Sequence, residues 1–130
     1  MYYSVIDTYT TKSHDTIYTI TMRYYYNWYL WRIVYDPNKA ILGNNPYIIP
    51  AGKTIHIISL NTEQINHTIK EGDLYQSLAE NYYGSARFWI DIAIENDYKH
   101  LLPGDSCIIP ALITQELIKK AEKLRALVNA

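Results

Sequence analysis

The sequence predicts an α+β protein: two tandem strand-helix-helix-strand modules followed by a C-terminal helix. Three observations lead there. The chain repeats itself once, each copy carries the same order of turn and cap residues, and the last stretch has helical periodicity. At an offset of 58 residues, Tyr9-Thr10-Thr11-Lys12-Ser13-His14-Asp15 lies over His67-Thr68-Ile69-Lys70-Glu71-Gly72-Asp73. The match continues with Ile20 and Leu78, Tyr24-Tyr25 and Tyr82-Tyr83, Trp31 and Trp89, Asn38 and Asn96. Gly52 and Gly104 then align at an offset of 52, so the first copy holds a six-residue insertion between its Asn and its Gly. Residues 1–60 form the divergent first module, 61–112 the second, and 113–130 the helix.

Each copy reads alike. A short strand ends at Asp15 or Asp73, whose carboxylate is placed to cap the helix that follows. In the second copy Leu74, Tyr75, Leu78 and Tyr82 mark one helical face, and Gly84 stops the helix. A second helix carries Phe88, Trp89, Ile92 and Ala93, and Pro103-Gly104 turns the chain into a strand from Cys107 to Ile109. The first copy has Ile17, Ile20 and Tyr24 on its first helix and Leu30, Trp31, Val34 and Tyr35 on its second. Pro37 is expected to end that second helix, and Thr54 to Ile58 to close the module. Trp31 and Trp89 are expected in the module cores, and Asn38 and Asn96 are expected to tie down the loops after the second helices. The linker, Asn61-Thr62-Glu63-Gln64, is short and polar. From Thr114 to Ala130, Leu117, Ala121, Leu124 and Val128 form a stripe with Thr114 as cap. That helix either packs on the modules or docks on a partner.

Composition narrows the function. Of the 130 residues, 48% are hydrophobic and 19% charged, a globular balance. A net charge of −1, without Lys/Arg runs, speaks against nucleic-acid or membrane-surface binding. The basic stretch Lys119, Lys120, Lys123, Arg125 alternates with apolar residues as a solvated helix face would. The single cysteine, Cys107, lies in an apolar run and reads as a buried strand residue. The first residues lack a signal-peptide pattern, and no apolar stretch reaches the roughly 20 residues of a membrane span. Enzymatic signals are missing. His14, His56, His67 and His100 have no metal-ligand spacing, and no nucleophile elbow or Gly-rich phosphate loop occurs. His14 and His67 read as surface residues, and Asp91 with Glu95, four apart, as an exposed polar face. No enzyme activity and no cofactor are expected.

The second repeat, "HTIKEGDLYQSLAENYYGSARFWIDIAIEND…LLPGDSCIIP", resembles a LysM module. Gly72-Asp73, Leu78-Ala79, Tyr83-Gly84, Asn96, Pro103-Gly104 and Ile109-Pro110 match the family pattern in order and spacing. The first repeat departs from it, with His14-Asp15-Thr16-Ile17 in place of Gly-Asp-Thr-Leu and Tyr26 in place of the Gly. The resemblance implies a βααβ fold, in which two helices cover one face of a two-stranded antiparallel sheet.

It also implies two functional readings. LysM modules commonly bind N-acetylglucosamine polymers such as peptidoglycan or chitin, in a groove between the loop after the first strand and the loop before the last. That groove maps to Asp15, Thr16 and Ile49 in the first module, and to Gly72, Asp73, Leu74 and Leu102 in the second. LysM-like modules also serve as adaptors in the baseplates of phage and phage-like contractile tails, joining hub or tube to wedge proteins. "RYYYNWYLWRIVYDPNKAIL" and Tyr83-Gly84-Ser85-Ala86-Arg87-Phe88-Trp89 resemble such baseplate modules. The expected function is therefore a baseplate adaptor located in the virion and assembled in host cytoplasm; the alternative is a glycan-binding protein. Tyr24, Tyr25, Tyr26, Trp28 and Tyr29 crowd one short stretch and are the expected docking anchors, with Leu117 and Leu124 of the last helix. Such a surplus marks either a partner interface or a face on which the modules pack. Deletion of residues 114–130 is expected to leave the modules folded and to impair assembly.

Overall fold

A computed structural model describes residues 1–128. The fold is α+β, with two separate two-stranded antiparallel sheets. In the first module strand β1 (Val5–Thr10) leads to helix α1 (Ile17–Tyr25). A 3-10 turn over Trp28–Leu30 opens helix α2 (Trp31–Tyr35). The chain then continues through a second 3-10 turn, Asp36–Asn38, into the short helix α3 (Lys39–Leu42). Pro37 thus ends the α-helix but not the helical path, because a proline at the start of a new turn has no amide to lose. Strand β2 (Thr54–Ile58) closes the module, pairing Thr10 with Thr54 and Tyr9 with Ile55.

The second module repeats this order. Strand β3 (Ile65–Thr68), helix α4 (Tyr75–Tyr83), a 3-10 turn at Ala86–Phe88, helix α5 (Trp89–Glu95) and strand β4 (Ser106–Ile109) come in turn. β3 pairs with β4 from Ile65–Ile109 to Thr68–Ser106. Helix α6 (Gln115–Val128) ends the described chain. The expected continuation of that helix to Ala130 lies outside the described residues.

The first helix of each module starts and stops by the same means, but not by the means expected. Asp15 and Asp73 do not cap. Each sits one residue before the cap, and its Oδ2 accepts the amide of Lys12 (2.7 Å) or Lys70 (2.8 Å), closing the turn between strand and helix. Thr16 caps α1 instead, accepting the Thr19 amide at 3.1 Å while the Thr19 hydroxyl accepts the Thr16 amide at 3.0 Å. In α4 only half of that box survives: the Ser77 hydroxyl accepts the Leu74 amide, and leucine has nothing to return. Both helices end on a left-handed residue, Gly84 (φ 73°) and Tyr26 (φ 53°), each donating its amide four residues back.

The closing asparagines are buried and make polar contacts that the two modules share. Asn38 Nδ2 donates to the carbonyls of Val34 and His56, and its Oδ1 accepts the His56 amide. Asn96 does the same with the carbonyls of Ile92 and Ile108 and with the Ile108 amide. One side chain thus ties the end of the second helix to the closing strand, a three-bond joint that both modules use. The other shared anchor is Tyr25 or Tyr83, fully buried, whose hydroxyl donates to the carbonyl of Ile58 or Pro110 where the sheet ends.

These tyrosines, not the tryptophans, centre the modules. Ile17, Ile20, Tyr25, Ile33, Val34, Ile55 and Ile57 are buried in the first, and Leu78, Tyr83, Ile92, Cys107 and Ile109 in the second. Trp31 and Trp89 are only half-buried. The preceding 3-10 turn sets the helical phase so that Ile33 and Val34, or Ile92 and Ala93, face inward, which leaves the Trp on the rim.

The chain divides into two compact units, and its ends are exchanged between them. The first unit comprises Ser4–Ser59 together with the segment from Ile113 onward, so α6 belongs to the fold of the first module and is no separate element. Ile113 and Ala121 are buried there, and Arg125 donates to the Arg23 carbonyl at 2.6 Å, with its guanidinium 4.8 Å from the Tyr24 ring centre. Truncating residues 114–130 would therefore uncover the face of α1 on which α6 packs. The second unit comprises Leu60–Leu112 and Met1–Tyr3, so the first three residues leave the module to which they were ascribed. Tyr2 and Tyr3 both donate their amides to the Asn81 carbonyl, and the Tyr2 ring stacks on Tyr82 at 4.7 Å.

Candidate functional site

Two surfaces stand out, one on each unit. On the second, a groove of about 350 Å³ is lined by Asp73, Leu74, Tyr75 and Gln76 on one side and Tyr98, Lys99, His100 and Leu101 on the other. They come from the loop after β3 with the first turn of α4, and from the loop before β4. Leu74 is 61% exposed on its lip. The far wall is built by a strained turn in which Asp97 (φ 55°) and Tyr98 (φ 53°) are both left-handed. It is held because Tyr98 donates its amide to Ala93 at 2.8 Å and Asn96 anchors its start. The Tyr75 hydroxyl donates to the Lys99 carbonyl at 2.6 Å across the groove floor.

Asp73, expected as a ligand-facing acid, is half-turned inward. Its Oδ2 accepts from Lys70 and lies 2.8 Å from Nε2 of His67, whose Nδ1 is 2.8 Å from the Tyr82 hydroxyl. Burial by itself would raise the Asp73 carboxyl, but the Lys70 amide and the His67 ring outweigh it and hold it below the ordinary value. His67 is buried in this chain and not on the surface, since Tyr2 and Tyr82 cover its ring. In the first module Tyr9 occupies the position of His67 and donates its hydroxyl straight to Asp15 at 2.6 Å. Burial and that bond push the Tyr9 hydroxyl up to about 12. Asp15, like Asp73, is thus occupied by the fold. Thr16 is exposed but spends its hydroxyl on the helix cap, and Ile49 is half-buried. Gly72 (φ 88°) shapes the turn before the groove, and Leu102 lies exposed just past its wall.

The second surface belongs to the first unit. An open, almost wholly apolar groove of about 600 Å³ is lined by Tyr18, Thr19, Met22 and Arg23 of α1, Trp28, and Leu124 and Val128 of α6. Trp28 is 48% exposed and Tyr29, stacked on it at 4.0 Å, 70%. Tyr18 meets Trp28 edge-on at 6.0 Å and Trp31 at 6.2 Å. The five expected anchors therefore separate. Tyr24 and Tyr25 are core residues at 8% and 1% exposure, because α1 turns them toward the sheet, whereas Tyr26, Trp28 and Tyr29 face solvent. Leu124 lines the groove, and Leu117 is half-buried an α-helical turn or two earlier on α6. Tyr18, Met22 and Arg23 had no place among the expected residues. Their signal was present as an i, i+4 pair, Tyr18 and Met22, on a helix that already buries Ile17, Ile20 and Tyr24.

Asp91 and Glu95 build nothing further; burial raises the Asp91 carboxyl, and its own backbone amide only partly offsets this. Burial likewise raises the Cys107 thiol, which fits a strand residue in the core. Among the described residues no group of three His, Cys, Asp or Glu side chains is placed to hold a metal, and no helix is long and apolar enough to cross a membrane. No family model, curated protein or solved structure matches this chain.

Proposed function

We propose that this chain is a structural adaptor of a phage or phage-like contractile tail baseplate, a LysM-like protein that joins hub or tube to wedge components by docking, without chemistry. The carrying observation is a difference between the two repeats. Tyr18, Met22, Trp28 and Tyr29 of the first module occupy the positions of Gln76, Glu80, Ala86 and Arg87 in the second. The same scaffold folds in the second module with polar or small residues there. The aromatic surface of the first is thus not a requirement of the βααβ fold. Large apolar rings kept in water at such positions are what a protein interface needs at its centre. In the virion the protein would be built in from the host cytoplasm. The test is particle assembly with the double variant Trp28→Ala, Tyr29→Ala. Loss of the chain from purified particles, with its circular dichroism unchanged, is expected; particles of normal yield and composition would refute the adaptor role.

A second reading rests on the other groove. Leu74, Tyr75, Tyr98 and Leu101 offer apolar faces beside backbone carbonyls, the chemistry that a peptidoglycan or chitin strand of N-acetylglucosamine would meet. Co-sedimentation with insoluble peptidoglycan and with chitin decides it. Saturable binding competed by soluble N-acetylglucosamine oligomers supports glycan recognition, and none at tens of micromolar protein rejects it.

A further inference from the structure

Given the docking role proposed for it, the aromatic groove also carries the character of its occupant. We infer that it receives an amphipathic helix of the partner, with an apolar stripe flanked by acidic residues. Three observations lead to this. First, the walls are helices, α1 and α6, whose backbone amides and carbonyls are spent internally. They expose side chains only and offer no strand edge to pair with. A segment laid there gains no backbone pairing from these walls, which favours one that satisfies its own backbone, as a helix does. Second, a smaller groove of about 320 Å³, lined by Tyr26, Lys120, Lys123, Leu124 and Leu127, adjoins the first and shares Leu124 with it. Leu124, Leu127 and Val128 on one turn of α6, with Tyr18, Met22 and Tyr26 along about two turns of α1 and its cap, form the apolar track. Its length on α1 is that over which a partner helix presents residues i, i+3, i+4 and i+7. Third, the rim is basic. Lys120 and Lys123 line the smaller groove, and among the described residues no acidic side chain lines either. Arg23 borders the larger one but holds its guanidinium 5.5 Å from the Tyr9 ring centre, so the two lysines carry the rim charge.

The basic rim is local, since the chain as a whole has a net charge of −1. Glu122 is on the other flank of α6, set off from Lys123 by about 100° of helix rotation. Glu116 is one turn before the track and within 3.7 Å of the Lys120 ammonium. That ammonium also lies 5.9 Å from the Tyr26 ring centre, which keeps it over the groove. Arg125 is not part of the rim, because Tyr24 and the Arg23 carbonyl hold it. A second copy of this chain laid on the groove would bring another basic rim against the first, so the charge favours an acidic partner over self-association.

The experiment is a titration of the full chain with three synthetic peptides, read by the indole signal of Trp28 in nuclear magnetic resonance. One peptide has leucines at i, i+3, i+4 and i+7 flanked by glutamates. Its twin has lysines in place of the glutamates, and a third carries the glutamates with a central proline. The acidic helix is expected to shift the Trp28 indole saturably and to bind at least about tenfold tighter than either other peptide. The charge-reversed variant Lys120→Glu, Lys123→Glu, altered only at exposed positions, should lose that preference while keeping its fold. Equal binding of the acidic and basic twins, equal binding of the proline peptide, or no shift of Trp28 by any of them overturns the inference. None of these outcomes touches the adaptor role, which stands or falls with the assembly of Trp28→Ala, Tyr29→Ala particles.

Discussion

Replacing Asn96 by alanine tests how the second module is held shut. The side chain is buried and makes three hydrogen bonds, donating to Ile92 at 2.7 Å and Ile108 at 2.8 Å and accepting the Ile108 amide at 2.8 Å. A typical buried bond contributes about 1 kcal/mol net, and a partner left unsatisfied costs about 1–3 kcal/mol. The Ile108 amide and carbonyl are at the strand, where little else can replace the side-chain amide, so the expected loss is about 3 kcal/mol. A module of this size has roughly 3–8 kcal/mol in all by the usual per-residue scale. The change should therefore bring the second unit close to unfolding. Urea denaturation monitored by the fluorescence of Trp89, with Trp28 and Trp31 replaced by phenylalanine as background, reads that unit alone. The midpoint should fall by roughly 1–3 M, given a small domain's denaturant slope. Asn96→Asp keeps the acceptor but turns a buried carboxylate oxygen on the Ile92 and Ile108 carbonyls, so at neutral pH it should destabilise the unit at least as much as alanine. If Asn96→Ala shifted the midpoint by less than the equivalent of about 1 kcal/mol, the three-bond joint would not be what closes the module.

The same kinds of contact fix four other outcomes. Removing residues 1–3 should destabilise the second unit by about 1 kcal/mol, since it strips the stacked ring from Tyr82, and leave the first unit's transition in place; the reverse assignment would contradict the exchange of chain ends. Arg125→Ala should destabilise the first unit by about 1–2 kcal/mol through loss of the bond to Arg23 and the contact with Tyr24, measured by the Trp28 and Trp31 transition. Gly84→Ala places a side chain at φ 73° and should cost about 1–2 kcal/mol of thermal stability, and a neutral result would mean that the αL stop is dispensable. Asp73 is held below its ordinary value of 3.8, so it contributes stability above that pH, and the contribution is lost as pH falls through the lowered value. Asp73→Asn should flatten the acid limb of the second unit's stability profile, and an unchanged limb would show that the carboxylate is not bound as described.

The sequence by itself determined the repeat and the order of its elements. The 58-residue offset, the Tyr-Tyr pairs, the glycine stop and the closing asparagines are local signals, because capping, turning and loop-tying are done by residues within a few positions of one another. The alignment of Tyr26 with Gly84 even marks a residue forced into the left-handed region. What the tertiary structure alone decided is which way the aromatics face and where the chain ends go. Helix α1 has apolar residues on two faces, and periodicity cannot say which meets the sheet; burial sends Tyr24 and Tyr25 inward and leaves Trp28 and Tyr29 outside. The phase of α2 and α5 is set by a 3-10 turn that sequence patterns do not resolve, so the tryptophans end on the rim. Tyr2 meets Tyr82, and Arg125 meets Tyr24, across 80 and 101 positions of chain. Contacts of such separation leave no local pattern; only the folded core brings the partners together, and with them the groove beside α6 forms.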